Sequence, residues 1–117
     1  LRSFTVVSFS EFSPNPKFDE ALIGVGKCRD AQPDVILAVG GGSVIDMAKT
    51  IAAFQTVPGH ERDLVVGSYK PDKLDIPPLI AIPTTAGTGA EATHFAVLYL
   101  EGTKYSLALP ELLPAVS

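Results

Sequence analysis

The sequence is poor in the residues that build disulfide frameworks and metal sites. Cys28 is the only cysteine among 117 residues, so a disulfide framework and a cysteine-rich metal cluster are both excluded. His60 and His94 are the only histidines, and neither has a second ligand at the i+3 or i+4 spacing of a metal site. We therefore assign no metal ligand and no catalytic residue to these 117 residues, and a chain with one cysteine suggests the reducing cytoplasm.

Long apolar runs and an excess of positive charge are also missing. No apolar stretch reaches the length of a transmembrane helix, and the first residues do not resemble a signal peptide. The net charge of −4 offers no electrostatic footprint for nucleic acid. We therefore expect neither a membrane nor a nucleic acid as partner. Because the chain opens at Leu1 in strand-like sequence, we also expect further residues upstream.

What the sequence does contain is a central stretch that predicts a strand, a glycine turn and a helix, in that order. Residues 35–39 form an uninterrupted apolar run, which is typical of a strand buried on both faces of a parallel sheet. Gly40, Gly41 and Gly42 follow, so the backbone can turn sharply and approach a ligand. A helix N-terminus beyond such a turn presents free N–H groups, which favour a phosphate.

The helix is predicted to be amphipathic. Ser43 fits the N-cap position, and Asp46 completes a pair resembling a capping box. Asp46, Lys49 and Thr50 are expected on the exposed face. The residues expected on the buried face share helical spacing and are Val44, Met47, Ala48, Ile51 and Ala52.

Two better-known phosphate-binding patterns do not fit this turn. A Walker A loop needs glycines where Ser43 and Ala48 stand, and a G-x-G-x-x-G fingerprint needs glycine where Ile45 stands. The other G-x-G, at residues 24–26, lies inside a helical pattern and is interpreted as unrelated to phosphate binding. A tight strand-to-helix turn with no ligand remains the alternative.

The flanking segments predict an α/β fold. Residues 4–9 predict a strand, and residues 17–31 predict a helix with Cys28 in the core. Residues 79–82 predict a second buried strand. Alternating strands and helices indicate a Rossmann-like parallel sheet with flanking helices and right-handed crossovers.

Two further segments are predicted outside that sheet. Residues 55–78 form a polar passage, interpreted as a peripheral excursion with a short helical piece near residues 61–66. Residues 95–100 and 104–109 predict a β-hairpin around residues 101–102.

A second polar loop follows the strand at residues 79–82. Thr84, Thr85 and Thr88 lie in residues 83–90, together with two glycines. In open parallel sheets, ligands bind at the carboxyl ends of the strands. The glycine turn and this threonine loop both follow strand ends, so we expect them to face one crevice and form a ligand site.

These motifs resemble those of a known family. Residues 40–49 are similar to the G-G-G-S-x-x-D-x-x-K motif of iron-containing (group III) alcohol dehydrogenases, although Val44 stands at the position of the usual proline. Residues 83–93 resemble the second motif of that family, P-T-T-x-G-T-x-[SA]-E-x-T. Asn15, before Pro16, and Lys104 match two shorter signatures. The resemblance runs over nearly the whole chain.

The resemblance implies that residues 1–117 are a partial Rossmann-like domain that binds NAD or NADP. Gly41, Gly42 and Ser43 would hold the pyrophosphate, and Asp46 would lie near the nicotinamide ribose or its amide. A helical C-terminal domain, absent from this sequence, would carry iron or another divalent metal. The family transfers hydride between the nicotinamide and a metal-polarised carbonyl.

The same resemblance implies contacts with the cofactor sugars. Thr84, Thr85 and Thr88 would line the adenine and ribose side, and Asn15 and Lys104 would approach the sugars. From the residues alone, Asn15 is a turn residue and Lys104 an exposed charge.

We therefore expect this chain to be part of an enzyme that interconverts a small-molecule alcohol and an aldehyde or ketone. The full-length enzyme is expected to be a homo-oligomer, namely a dimer. One alternative is the NAD-binding domain of a dehydroquinate synthase-like lyase, although residues 86–91 do not continue as that group requires. Another is a truncated, non-catalytic remnant that binds a nucleotide.

Overall fold

The computed structural model describes residues 6–10, 15–85 and 89–115. Within these ranges the chain forms three α-helices, four strands and two short 3-10 turns, at Ala90–Ala92 and Pro110–Leu112. The helices and strands in chain order are α1 (Phe18–Ala31), β1 (Ile36–Gly40), α2 (Gly42–Phe54), α3 (Glu61–Val66), β2 (Leu79–Pro83), β3 (Phe95–Leu100) and β4 (Thr103–Ala108).

The strands pair as a parallel ribbon and a hairpin. β1 and β2 are parallel, with Ile36 opposite Leu79 and Gly40 opposite Pro83. β3 and β4 form an antiparallel hairpin, whose turn residues Glu101 and Gly102 both have positive φ. Positive φ at both turn positions matches the twist of a two-residue hairpin. The predicted α/β fold with a parallel pair, helices and a hairpin is confirmed.

The core surrounds α2, which contacts α1, both strands of the parallel pair and β3. Phe54 of α2 is fully buried and meets the ring of Phe18 edge-on, with centroids 5.5 Å apart. Cys28 packs partly buried against this core, as predicted. Beneath the glycine turn lies a smaller cluster of Ala38, Ile45, Ala81 and Ala90.

One face of the parallel pair is exposed, so the prediction of a strand buried on both faces is wrong. Leu37 and Val39 are 57% and 51% exposed, and their neighbour Ile82 is 47% exposed. Ala38 and Ala81 point to the other face and are buried. The reason is that α2 covers one side of β1 and β2, and no described element covers the other.

Residues 6–10 form no strand, so the described part of the strand predicted at residues 4–9 is not confirmed; residues 4 and 5 lie outside the described residues. The other local predictions hold well. α1 and the hairpin lie within one residue of their predicted bounds, and α3 spans the predicted residues 61–66. No helix among the described residues is long and apolar enough to cross a bilayer.

The prediction for the faces of α2 is wrong for the polar face, although three of the five residues expected on the buried face are buried, namely Met47, Ile51 and Ala52. Lys49 and Thr50, expected to be exposed, are completely buried, whereas Val44 and Ala48 are only partly buried. The hairpin and the segment that precedes it pack over the polar side of the helix. The buried hydroxyl group of Thr50 donates a hydrogen bond to the carbonyl oxygen of Asp46 at 2.8 Å. α2 is therefore a central helix, covered on nearly all sides.

Candidate functional site

The glycine turn and the threonine loop meet at the carboxyl end of the parallel pair. The backbone N–H of Thr84 donates to the carbonyl oxygen of Gly40 at 2.8 Å. A Cβ atom placed on Gly41 would lie 3.1 Å from Oγ1 of Thr85. The expected convergence of the two loops is therefore present for Thr84 and Thr85. Thr88 lies outside the described residues.

The turn favours glycine at two positions, for a different reason at each. Gly40 has a φ of +155°, and a Cβ there would lie 2.6 Å from Cγ2 of Val44. Gly41 has an extended backbone that other residues adopt, but the Thr85 side chain lies close against it. The two glycines thus let the chain leave β1, enter α2 and pass close under the threonine loop.

The helix begins differently from the prediction. α2 starts at Gly42, and Gly41 is the N-cap residue, so Ser43 lies within the first turn. The predicted capping pair of Ser43 with Asp46 is wrong, because the N-cap glycine makes no side-chain hydrogen bond and the first turn contains no acidic residue. An α-helix leaves its first N–H groups without intrahelical partners. The N-terminus of α2 therefore suits an anion, whose charge would meet no carboxylate there.

Asp46 faces the hairpin instead of the helix N-terminus. Its Oδ2 accepts a hydrogen bond from the backbone N–H of Val97 at 3.2 Å. Burial raises the pKa of the Asp46 carboxyl, while the bond from Val97 and the charge of Lys49 act in the opposite direction. The carboxylate thus holds β3 against the first turns of α2, and its contact with a nicotinamide stays a prediction.

Sequence reasoning missed Lys49 as a structural centre of this region. Its Nζ is buried and donates to the carbonyl oxygens of Ala90, Thr93 (2.7 Å) and Phe95 (2.9 Å). Burial lowers the pKa of the Lys49 ammonium, and the charges of Asp46 and Glu91 oppose that shift. Two signals in the sequence could have found it: Lys49 is the last residue of the G-G-G-S-x-x-D-x-x-K motif, and it lies on an otherwise mostly apolar helix.

Asn15 and Lys104 lie on either side of the same strand. The carbonyl oxygen of Pro16 accepts from the N–H of Tyr99 at 2.8 Å, which places Asn15 beside one edge of β3. Lys104 is opposite Tyr99 on the other edge, in β4. Both predicted residues are exposed. The structure thus brings them to one level of the hairpin, and their contact with cofactor sugars stays a prediction.

The histidines take part in ring contacts in the described structure. His60 stacks on Tyr69 with centroids 4.5 Å apart, and the His94 ring lies 4.3 Å from that of Phe95. No group of three or more histidine, cysteine, aspartate or glutamate side chains suited to a metal occurs among the described residues.

Comparison with known proteins gives one family. The model for iron-containing alcohol dehydrogenase matches residues 2–117. The chain is 42% identical over 107 residues to an alcohol dehydrogenase of Thermococcus barophilus, covering 86% of this chain and 28% of that protein. It is 35% identical over 103 residues to long-chain-alcohol dehydrogenase 1 of Geobacillus thermodenitrificans strain NG80-2, covering 86% of this chain and 26% of that protein.

Two solved structures show the same fold. NADH-dependent butanol dehydrogenase A of Thermotoga maritima superposes with a TM-score of 0.86 at 33% identity, covering 95% of this chain and 28% of that one. Sulfoacetaldehyde reductase of Bifidobacterium kashiwanohense, solved in complex with NAD+, gives 0.84 at 34% identity, covering 92% and 29%. The chain thus spans little more than a quarter of these relatives. The matches confirm the resemblance and favour a dehydrogenase over the lyase alternative.

Proposed function

The chain belongs to the iron-containing alcohol dehydrogenase family, and from this premise we propose that it is the NAD- or NADP-binding part of such an enzyme. Residues 1–117 would form a partial dinucleotide-binding domain. The helical domain that carries the metal would be supplied by residues outside this sequence. The whole enzyme would interconvert an alcohol and an aldehyde or ketone by hydride transfer.

One observation carries the proposal: two polar loops meet at the ends of neighbouring parallel strands, where the N-terminus of α2 opens. Ligands bind at this edge of parallel sheets. The backbone N–H groups of Gly42 and Ser43 would hold the pyrophosphate, with Gly41 allowing its close approach. Thr84 and Thr85 are exposed on the opposite wall and would offer hydroxyl groups to the adenosine side.

The cofactor, the metal and the residues of this chain would have separate roles in the reaction. The cofactor carries the hydride, and a bound divalent metal supplies Lewis-acid polarisation of the substrate oxygen. The residues of this chain bind and orient the dinucleotide, and Asp46 would lie at its nicotinamide end. No metal ligand is assigned to this chain. The same proposal keeps Asn15, Thr88 and Lys104 as contacts of the cofactor sugars.

We also propose a substrate class, a compartment and an oligomeric state for the enzyme. The names of the relatives support a small-molecule alcohol or aldehyde as substrate. The net charge of −4 argues against nucleic acid, and a single cysteine agrees with a cytoplasmic protein. A homodimer is proposed for the complete enzyme, and its mass in solution would test this.

The direct test is calorimetric titration of the complete protein encoded by the gene with NAD+ and with NADP+. We expect saturable binding of one of them with one site per chain, and alcohol-dependent reduction of that cofactor after loading with iron. Binding without turnover would favour the non-catalytic remnant. The absence of binding to either dinucleotide would contradict the proposal.

A further inference from the structure

A single buried lysine fastens the segment after the threonine loop to the central helix. The Nζ of Lys49 donates to the backbone carbonyls of Ala90, Thr93 and Phe95, and lies 3.3 Å from Oγ1 of Thr93. These acceptors are 41–46 residues away along the chain. An ammonium group has three protons to donate, so the three carbonyls can use all of them. Lys49 therefore fixes the backbone path of residues 90–95.

The threonine loop is thereby anchored at both ends to the β1–turn–α2 unit. Near its start, Thr84 is hydrogen-bonded to Gly40, the first residue of the glycine turn. Its far end leads into Ala90, which Lys49 holds. Lys49 lies seven residues beyond Gly42 in α2, a distance of about 10 Å along the helix axis. The helix that begins at the turn thus also fixes the far end of the opposite wall.

We propose that Lys49 is a positioning residue for the dinucleotide site, which sets the place of residues 90–95, at the far end of the threonine loop, relative to the glycine turn. This inference rests on the proposed function, because it takes that crevice as the cofactor site. It goes beyond that proposal by assigning cofactor affinity to a residue that is buried away from solvent and need not touch the ligand.

The chemistry of the contact favours a positioning role over simple stabilisation. Burying an ammonium group costs free energy, and a well-packed apolar side chain often gives equal or better stability at a buried charged site. Among the described residues, Lys49 forms no ion pair within 4.0 Å, and its hydrogen-bond partners are backbone carbonyls and one hydroxyl. Lys49 instead fixes the relative positions of three carbonyl groups within residues 90–95.

Glu91 lies in the same fastened segment. Its Oε2 is buried and has no hydrogen-bond partner in the part of the chain that the structure describes. Its charge acts favourably on the ammonium of Lys49. The fastened segment thus carries a buried carboxylate oxygen whose charge favours the ammonium group that holds it.

The test compares Lys49→Met with the wild type in the complete protein. Methionine keeps a long unbranched side chain but donates no hydrogen bond. We expect the dissociation constant for NAD+ or NADP+, whichever binds, to rise by at least about tenfold. Hydrogen exchange should accelerate at residues 84–95 more than in α1. Lys49→Arg, which restores donors, should recover part of the lost affinity.

Two controls separate positioning from a general loss of stability. Val25→Ala removes buried volume in α1, outside the glycine turn and the threonine loop, and should destabilise the fold while changing the dissociation constant by less than about twofold. Lys70→Met removes a lysine from an exposed position and should change neither quantity. An equal loss of affinity in Val25→Ala would contradict the inference, as would an unchanged affinity in folded Lys49→Met.

A measurement on the wild type covers the case in which Lys49→Met does not fold. Saturation with the cofactor should slow hydrogen exchange at residues 89–95, since their position is coupled to the site, and unchanged exchange there would overturn the inference. Wild-type protein that binds neither dinucleotide would contradict the proposed function as well. If the wild type binds a dinucleotide and folded Lys49→Met binds it equally well, this inference is contradicted and the proposed function is not.

Discussion

The backbone N–H of Thr84 and the carbonyl oxygen of Gly40 are joined by a 2.8 Å hydrogen bond at the last step of the parallel pair. Pro83, the residue paired with Gly40, has no N–H to donate, and Thr84 supplies the bond directly after it. The floor of the crevice is therefore fixed by backbone atoms. Substitution of the Thr84 side chain should change ligand contacts without breaking this backbone hydrogen bond.

The first prediction concerns Gly40. Gly40→Ala places a Cβ atom 2.6 Å from Cγ2 of Val44 at a φ of +155°, so the strain and the collision add. We expect the free energy of unfolding to fall by at least about 2 kcal/mol. Urea denaturation measures this. Gly26→Ala is the matched control: no atom lies within 4 Å of its Cβ, and the helix should gain about 0.5–1 kcal/mol. Similar stabilities for the two variants would contradict the turn geometry.

The second prediction concerns Gly42, the first residue of α2. If a pyrophosphate lies against its backbone, the side chain of Gly42→Val collides with it. The cofactor dissociation constant should rise by at least about tenfold, which corresponds to about 1.4 kcal/mol. Calorimetric titration of the complete protein checks this, with Gly26→Ala as the variant expected to bind normally. Unchanged affinity in a folded Gly42→Val protein would exclude the phosphate role of the turn.

The third prediction separates two roles of Asp46. Asp46→Ala leaves the N–H of Val97 without its acceptor, which should cost about 1–3 kcal/mol of stability. Asp46→Asn keeps an acceptor oxygen and should cost less. If Asp46 also lies at the nicotinamide end, Asp46→Asn should weaken NAD+ or NADP+ binding more than ADP binding. Equal weakening of both ligands would place Asp46 away from the nicotinamide.

The fourth prediction follows from the raised pKa of Asp46. Between its ordinary value of 3.8 and the raised value in the fold, the folded state holds a proton that the unfolded state has lost. The contribution of Asp46 to stability therefore falls as the pH rises through that window. The Asn variant lacks this titration, so its stability relative to the wild type should decrease as the pH is lowered from 7 toward 3.8. Urea denaturation across that range checks it, and an Asn variant that gains stability relative to the wild type on acidification would contradict the sign.

Local pattern predicted the elements of this fold well, because each carries its own signal. The positive-φ turn at Glu101 and Gly102 and the helix of residues 61–66 needed no tertiary information. The buried state of Lys49 could not be predicted in this way. Its partners are backbone carbonyls more than 40 residues away, and a carbonyl leaves no trace in the sequence.

The remaining errors have the same origin. Ser43 is a better N-cap residue than glycine in general, but the extended backbone of Gly41 leads into the helix two residues earlier. The apolar run of β1 signals burial on two faces, and the described residues cover only one. The sequence pattern shows which strand and helix faces are apolar, but tertiary packing decides which element, if any, covers each face.

The last prediction concerns residues 1–117 expressed alone. Leu37, Val39 and Ile82 form an exposed apolar face on the parallel pair, and such a face promotes association. Among the described residues, no group of three or more histidine, cysteine, aspartate or glutamate side chains is suited to a metal ion. We expect this polypeptide to self-associate, to bind NAD+ and NADP+ only weakly, and to show neither alcohol oxidation nor stoichiometric iron or zinc. Light scattering, cofactor titration, an alcohol-oxidation assay and elemental analysis measure these properties. Turnover above background, or one tightly held metal ion per chain, would show that the catalytic site lies within these residues after all.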